Sequence, residues 1–552
     1  MDTVAKYLIE ELLSQGIDTF FGIPGGPVGA FFDALYRTPN TKLIEAKHET
    51  AAIFEAIGYY KTTGKVPVVL LTAGPGMTNS LTGIASAKAL RIPILVIVGD
   101  TSWEKRNHIL LQTGGPEGIN IEHTFAPHSD HIIRIREVKS AVQQVISLLQ
   151  SRTNLSPSIA IIPIQINSAR TIKPKVNYFY SSQTTYQIDD NLLLRVKSLL
   201  TQAIHPLLIV GYGAYSCQLE IEKLINYCQV PFTTTPQAKG VISEDHPLSL
   251  RTAGIGASQW IREYVKQPPD VVLALGTDLD DCSIGTTELI DQNTKLIHID
   301  NNSKVFNRKY PAEIAICCDL KTFCYDFKWA GHHFPSRLPI AAKQISPFDV
   351  ADFREDDSFP IAPHRALADI EASIPSNARL LTDIGEHMLF CLHYLTIDQQ
   401  KKFSIDLGLG SMGSGICQAI GMALGDKRPT ICICGDGCFQ MHGMEILTAI
   451  KEELPIVFAI FNDARYNMVS HGFNHTFGLN ESPGQTNYID FVKLAESLGI
   501  LGIKIEQAGE ISPALISGLL NKKVPSILDI RINKEIRIKG AGRNEVLKLM
   551  GE

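Results

Sequence analysis

Nowhere in the 552 residues does an uninterrupted apolar run reach the roughly 18 residues that a membrane-spanning helix needs. Apolar runs such as Val66–Leu71 and Ile92–Val98 have the length of strands. An excess of basic charge is also missing. Lys and Arg number 51 against 57 Asp and Glu, a net charge of −6 with the signs interspersed, so neither a nucleic-acid surface nor a polybasic membrane surface is expected. The 11 cysteines form no CxxC pair and no zinc-like spacing. Several lie in apolar segments (Cys317-Cys318, Cys432, Cys434), so buried, reduced thiols in a cytoplasmic protein are expected. No short-period repeat is visible. Met1–Lys6 runs directly into an amphipathic helical pattern, and no targeting segment is expected there.

What is present is ordinary globular composition, 45% hydrophobic and 20% charged with 42 Gly and 29 Pro, which argues against disorder. At roughly 150 residues per domain the length allows three or four domains. Strand runs alternate with helical patterns in three blocks, 1–170, 190–330 and 360–540, which is the signature of parallel sheets covered by helices. The polar stretches Thr171–Asp189 and 331–360 read as linkers. The first and third blocks share size and rhythm, which suggests two copies of one sub-fold.

The third block carries the strongest signal. The strand Ile431–Cys434 ends in Gly435-Asp436-Gly437; a helical pattern (Met444–Glu453) and the strand Ile456–Phe461 follow, ending in Asn462-Asp463. Asp436 and Asp463 are 27 residues apart, one strand–helix–strand crossover, so both acids belong at the carboxyl ends of neighbouring parallel strands, where such sheets bind ligands. Two carboxylates there suit a hard divalent cation, and the flanking glycines let backbone N–H groups approach phosphate.

This text resembles the thiamine-diphosphate motif that runs from GDG to a closing NN pair. Gly435–Met441, Asn467-Met468-Val469, Leu407–Gly415 and Thr382–His387 are similar to the acetolactate synthase (acetohydroxyacid synthase) family. The resemblance implies an α/β fold of three doubly wound parallel-sheet domains: pyrimidine-binding, central and diphosphate-binding. It implies Mg²⁺ on Asp436, Asp463 and the Arg465 carbonyl. Asp463 stands where the family usually has Asn, and cofactor binding is still expected. The resemblance assigns the diphosphate to the loop Ile384, Gly385, Glu386, His387 and to Gly435, Gly437, Cys438, Asn467 and Met468. Glu386 replaces the usual Gln. Gly410 and Met412 match the loop whose apolar residue props the cofactor into its bent form.

The first block agrees with this reading. Gly22–Gly26, His48-Glu49-Thr50, Thr72–Gly76 and Thr78-Asn79 resemble the pyrimidine-binding domain in order and spacing. Pro24, Gly25, Thr72, Gly74 and Asn79 are the implied cofactor contacts, and Glu49 the implied catalytic acid. Glu49 sits at the start of an apolar helix, where a carboxyl is partly desolvated. In the family such a carboxyl bonds a pyrimidine ring nitrogen and favours the imino tautomer that takes the thiazolium C2 proton. The family also builds each site from two subunits, so a homo-oligomer, at least a dimer, is implied.

Departures bear on substrate. Gly472 falls at or next to a position where acetolactate synthases carry Trp, which implies a more open acceptor pocket. Asp130 stands where the family has a cation, and an insertion containing Gly114–Pro116 displaces a Phe-Gln pair. Gly26, Gln112, His471 and Gly472 are the residues expected near substrate. In the middle block, Gly211-Tyr212-Gly213 and the text near Arg251–Gly256 keep the flavin pattern poorly, so FAD is not expected. The expected activity is decarboxylation of a 2-oxo acid, with pyruvate as candidate, and acyl transfer to a carbonyl acceptor larger than pyruvate. The alternatives are a non-ligating decarboxylase of aromatic or branched 2-oxo acids and an inactive regulatory homologue.

Overall fold

The computed structural model describes residues 1–102, 111–114, 118–129, 131–150, 156–178, 188–285, 287–327, 334–398, 402–479 and 484–538. Asp130, Gly115 and Pro116 lie outside the described residues, as do parts of both linkers.

Apolar runs of Val, Ile and Leu, buried on both faces, form three six-stranded sheets that are parallel throughout. In the first, the spatial order is Lys42–Glu45, Thr19–Gly22, Val68–Thr72, Leu95–Asp100, Ser158–Pro163, His131–Arg134. In the third it is Lys402–Ile405, Arg379–Thr382, Thr430–Gly435, Ile456–Asn462, Ser526–Arg531, Leu501–Ile505. Numbered within each domain, both read 2-1-3-4-6-5, so the first and third domains are two copies of one topology. The central sheet instead reads 3-2-1-4-5-6, the dinucleotide-fold order.

The two copies are joined helix on helix. Glu49–Thr63 packs along Ser414–Asp426 at glycine contacts: a Cβ on Gly58 would overlap the Gln418 carbonyl, and one on Gly421 the Glu55 carbonyl. Only glycine allows backbones this close. Polar bonds flank the seam. Lys61 Nζ donates to Gln418 Oε1 at 2.8 Å, and Gln418 Nε2 and Ser86 Oγ donate to Asp406 Oδ2 at 2.6 and 3.1 Å. The central domain is tied to the third by buried Arg251, which donates to the Leu395 carbonyl at 2.7 Å and to Thr396 Oγ1 at 3.1 Å. Among the described residues no helix is long and apolar enough to cross a membrane.

Candidate active site

In the third sheet, Arg379–Thr382 leads sideways to Lys402–Ile405, whereas Thr430–Gly435 leads the opposite way to Ile456–Asn462. The chain thus diverges at the carboxyl ends of two adjacent strands, the place where doubly wound sheets open a crevice. A cavity of about 320 Å³ lies there. The loop Ile384–His387 forms one wall, Gly435–Cys438 the floor, and Asp463 with Arg465–Val469 the far side; Gly410 and Met412 close it.

Register explains the acids. Gly435 pairs with Phe461, so Asp436 and Asp463 emerge from adjacent strand ends. A helix that the sequence pattern did not show, Asp436–His442, begins at the acid itself with extended Gly435 at its N-cap position, and the expected helix within Met444–Glu453 follows as Ile446–Lys451. Gly437 has no room for a side chain, since a Cβ would overlap the Tyr466 ring. Asp436 Oδ1 accepts the Gly437 N–H at 2.7 Å, while its buried Oδ2 has no hydrogen-bond partner among the described residues. Burial pushes Asp436 up to about 6. Burial, then Asp436 and Glu386, push Asp463 well above the usual carboxylate range. Asp463 accepts from the Arg465 N–H at 3.2 Å and from the Asn467 amide.

Buried polar atoms without partners are costly unless something binds them. Three residues of this cavity carry them: Asp436 Oδ2, Asn467 Oδ1 and His387 Nε2. His387 is held neutral by burial, its pKa pushed down to about 4. The remaining walls are apolar (Met412, Phe461, Met468, Val469). This donor set fits a divalent cation and a phosphorylated cofactor with an apolar ring: Asp436, Asp463 and the Arg465 carbonyl offer oxygen ligands, and glycine-flanked backbone lies beside them.

Asp383 has an organising role that sequence reasoning missed. Fully buried, it accepts the Ile384 and Gly413 N–H groups on Oδ1 at 2.6 and 2.8 Å and the Ile416 N–H on Oδ2 at 3.0 Å. It therefore clamps the 384–387 loop to the Met412 loop. Cys438 joins the clamp, its Sγ lying 3.0 Å from the Ile384 carbonyl. An acid directly after a strand was the available signal.

Glu386 faces the cavity and His471 stands behind it, Nδ1 to Oε1 2.7 Å. Neither His471 nor Gly472 lines the cavity in this chain. Gly472 is buried one helical turn beyond Met468, which does line it.

The first-domain residues gather separately. Asn79 donates to Glu49 Oε2 at 2.9 Å. A Cβ on Gly76 would meet Thr72 Oγ1 at 2.7 Å and Glu49 Oε1 at 3.6 Å. A Cβ on Gly25 would overlap Thr72, and Gly74, at φ +70°, lies under Gln112. Pro24 and Gly26 are exposed beside them. Among the described residues, none of this group lines the third-domain cavity.

A second cavity of about 590 Å³ opens between the domains at the central sheet. Four carboxylates line it (Asp278, Asp280, Asp300, Asp319) against Lys61 and Arg91, and Arg91 is already paired with Asp278 at 2.6 Å. Arg251 is spent on the Leu395 and Thr396 contacts. This lining suits a flavin diphosphate poorly.

Fold and site together define a thiamine-diphosphate enzyme. The models for the thiamine pyrophosphate enzyme N-terminal TPP binding domain, central domain and C-terminal TPP binding domain match residues 2–124, 193–327 and 383–530. The chain belongs to that family, as a divergent relative of the acetolactate synthase large subunits. It is 28% identical over 563 residues to a probable acetolactate synthase large subunit of Methanococcus aeolicus, covering 96% of this chain and 92% of that protein. The acetolactate synthase large subunit of Cyanidium caldarium is 27% identical, with 96% and 92% covered. The isozyme 1 large subunit of Escherichia coli is 26% identical, with 97% and 95% covered.

Proposed function

We propose that this thiamine-diphosphate carboligase decarboxylates a 2-oxo acid and transfers the acyl unit to a carbonyl acceptor larger than pyruvate. The observation that carries the reading is the cavity at Asp436 and Asp463, with its unpartnered buried acceptor atoms, at the divergence point of a sheet in this family's third domain.

Thiamine diphosphate, when bound, supplies a carbanion equivalent that adds to a carbonyl carbon and holds the acyl unit after CO₂ leaves. The chain's own residues prepare that site. Asp436, Asp463 and the Arg465 carbonyl would hold Mg²⁺, and Met412 would support the apolar middle of the cofactor. Glu49, oriented by Asn79, holds a proton for a pyrimidine ring nitrogen. Because Glu49 and its neighbours do not line the cavity of their own chain, a second copy is the source of that half, which supports a homo-oligomer of at least two chains with shared sites. No FAD is assigned to the acidic central cavity.

The larger acceptor rests on Gly472, which falls at or next to the position where the resembled family carries Trp and lies on the Met468 face of its helix. The test is acceptor range: Gly472→Trp should narrow it toward pyruvate and 2-oxobutyrate. An unchanged range with only those acceptors used would reject a larger acceptor. Free aldehyde without any ligated product would favour a non-ligating decarboxylase.

A further inference from the structure

Three carboxylates, Asp436, Asp463 and Glu386, share one cavity. Asp436 and Asp463 have a cation to bind; Glu386 is outside that set, at the start of the helix Glu386–Tyr394 on the wall assigned to the diphosphate. An uncompensated carboxylate there would repel the ligand.

His471 supplies the compensation. It is 3% exposed, with Nδ1 2.7 Å from Glu386 Oε1 and Nε2 3.1 Å from the Lys534 carbonyl oxygen. A carbonyl only accepts, so Nε2 carries a hydrogen. The Nδ1–Oε1 bond then needs one proton, on the ring or on the carboxyl. Either placement gives the pair a net charge of zero. The same Lys534 carbonyl lies 3.4 Å from Asn467 Nδ2, so one backbone oxygen braces both the histidine and the partner of Asp463.

We infer that His471 is a positioning residue for the cofactor: it neutralises Glu386 and fixes its carboxyl, so that the pair presents the diphosphate with the uncharged hydrogen-bonding surface of an amide. This rests on the thiamine-diphosphate reading of the site. It also accounts for Glu at a position where the resembled family has Gln, since the exchange is electrically silent when His471 accompanies it.

Titration calorimetry of the full chain with thiamine diphosphate at saturating Mg²⁺ tests it. His471→Gln should weaken binding about tenfold or more, the scale of one uncompensated charge at a partly buried site. Glu386→Gln should stay within about threefold of the unmodified protein, and Glu386→Gln with His471→Gln should recover that affinity. A purely structural histidine would not be rescued by changing Glu386. Unchanged affinity in His471→Gln, or a loss that persists in the double variant, would overturn the inference. If His471→Gln does not fold, Glu386→Gln still decides, because a tenfold loss there would mean that an amide does not stand in for the pair and would overturn the inference. No binding by the unmodified protein would overturn the cofactor reading and the inference together; binding with the wrong variant pattern would overturn the inference alone.

Discussion

The Asn79 side-chain amide donates to Glu49 Oε2 at 2.9 Å and fixes one oxygen of the carboxyl at the first turn of Glu49–Thr63. On the proposed reading, Glu49→Gln removes the transferable proton and keeps the shape. Turnover should fall by about 10²-fold or more, the usual scale of a general acid–base group, while calorimetry shows retained cofactor binding. CO₂ release by Glu49→Gln at the unmodified rate would refute its role.

The close seam between the first and third domains gives a stability prediction. Gly421 lies against the Glu55 backbone carbonyl with no space for a methyl group. Gly421→Ala should destabilise the protein by about 1–3 kcal/mol, as overpacking does, despite the higher helix propensity of alanine. Urea unfolding measures it, and a stabilised variant would contradict the packing.

Glu55 gives a pH dependence. It is fully buried, and burial followed by the nearby Glu445 raises its pKa well above the usual range. Glu445 is anchored by the Lys47 N–H at 2.8 Å and by Thr448 Oγ1 at 3.1 Å. A carboxyl whose folded pKa lies above its unfolded value binds more protons when folded. Its contribution is full below the unfolded pKa and is lost as pH rises through the folded one. Stability should therefore fall through this group as pH rises above the ordinary carboxylate range, and Glu55→Gln should reduce that fall. Equal pH slopes for both proteins in urea unfolding would count against it.

The acidic lining of the central cavity gives a cofactor prediction. With Asp278, Asp280, Asp300 and Asp319 against Lys61 and the paired Arg91, the purified protein should show no flavin absorbance, and added FAD should not change turnover. Stoichiometric flavin in the purified protein would reverse this reading.

Much of this was legible in the sequence because it depends on local spacing. The GDG turn and the second acid one crossover later placed both carboxylates at neighbouring strand ends, and parallel-sheet register leaves little alternative. The rhythm of the outer blocks anticipated their common strand order. Boundaries were less legible. The Met444–Glu453 pattern is α-helical over Ile446–Lys451, and a second helix, Asp436–His442, starts at the acid itself, with glycine at 437 because Tyr466 leaves no room for a side chain. The Asp383 clamp and the Glu386–His471 pair were hidden for another reason. Glu386 and His471 are 85 residues apart, on different helices, and no periodicity links residues that only tertiary packing brings together.

The most direct test of the central claim is product analysis by mass spectrometry with CO₂ release. The purified chain would be supplied with thiamine diphosphate and Mg²⁺ and offered a panel of 2-oxo acids, with and without aldehyde and ketone acceptors. The expected result is cofactor-dependent CO₂ release with formation of a ligated 2-hydroxy carbonyl product. Cofactor binding with neither CO₂ release nor ligation across the panel would contradict the account and favour an inactive regulatory homologue.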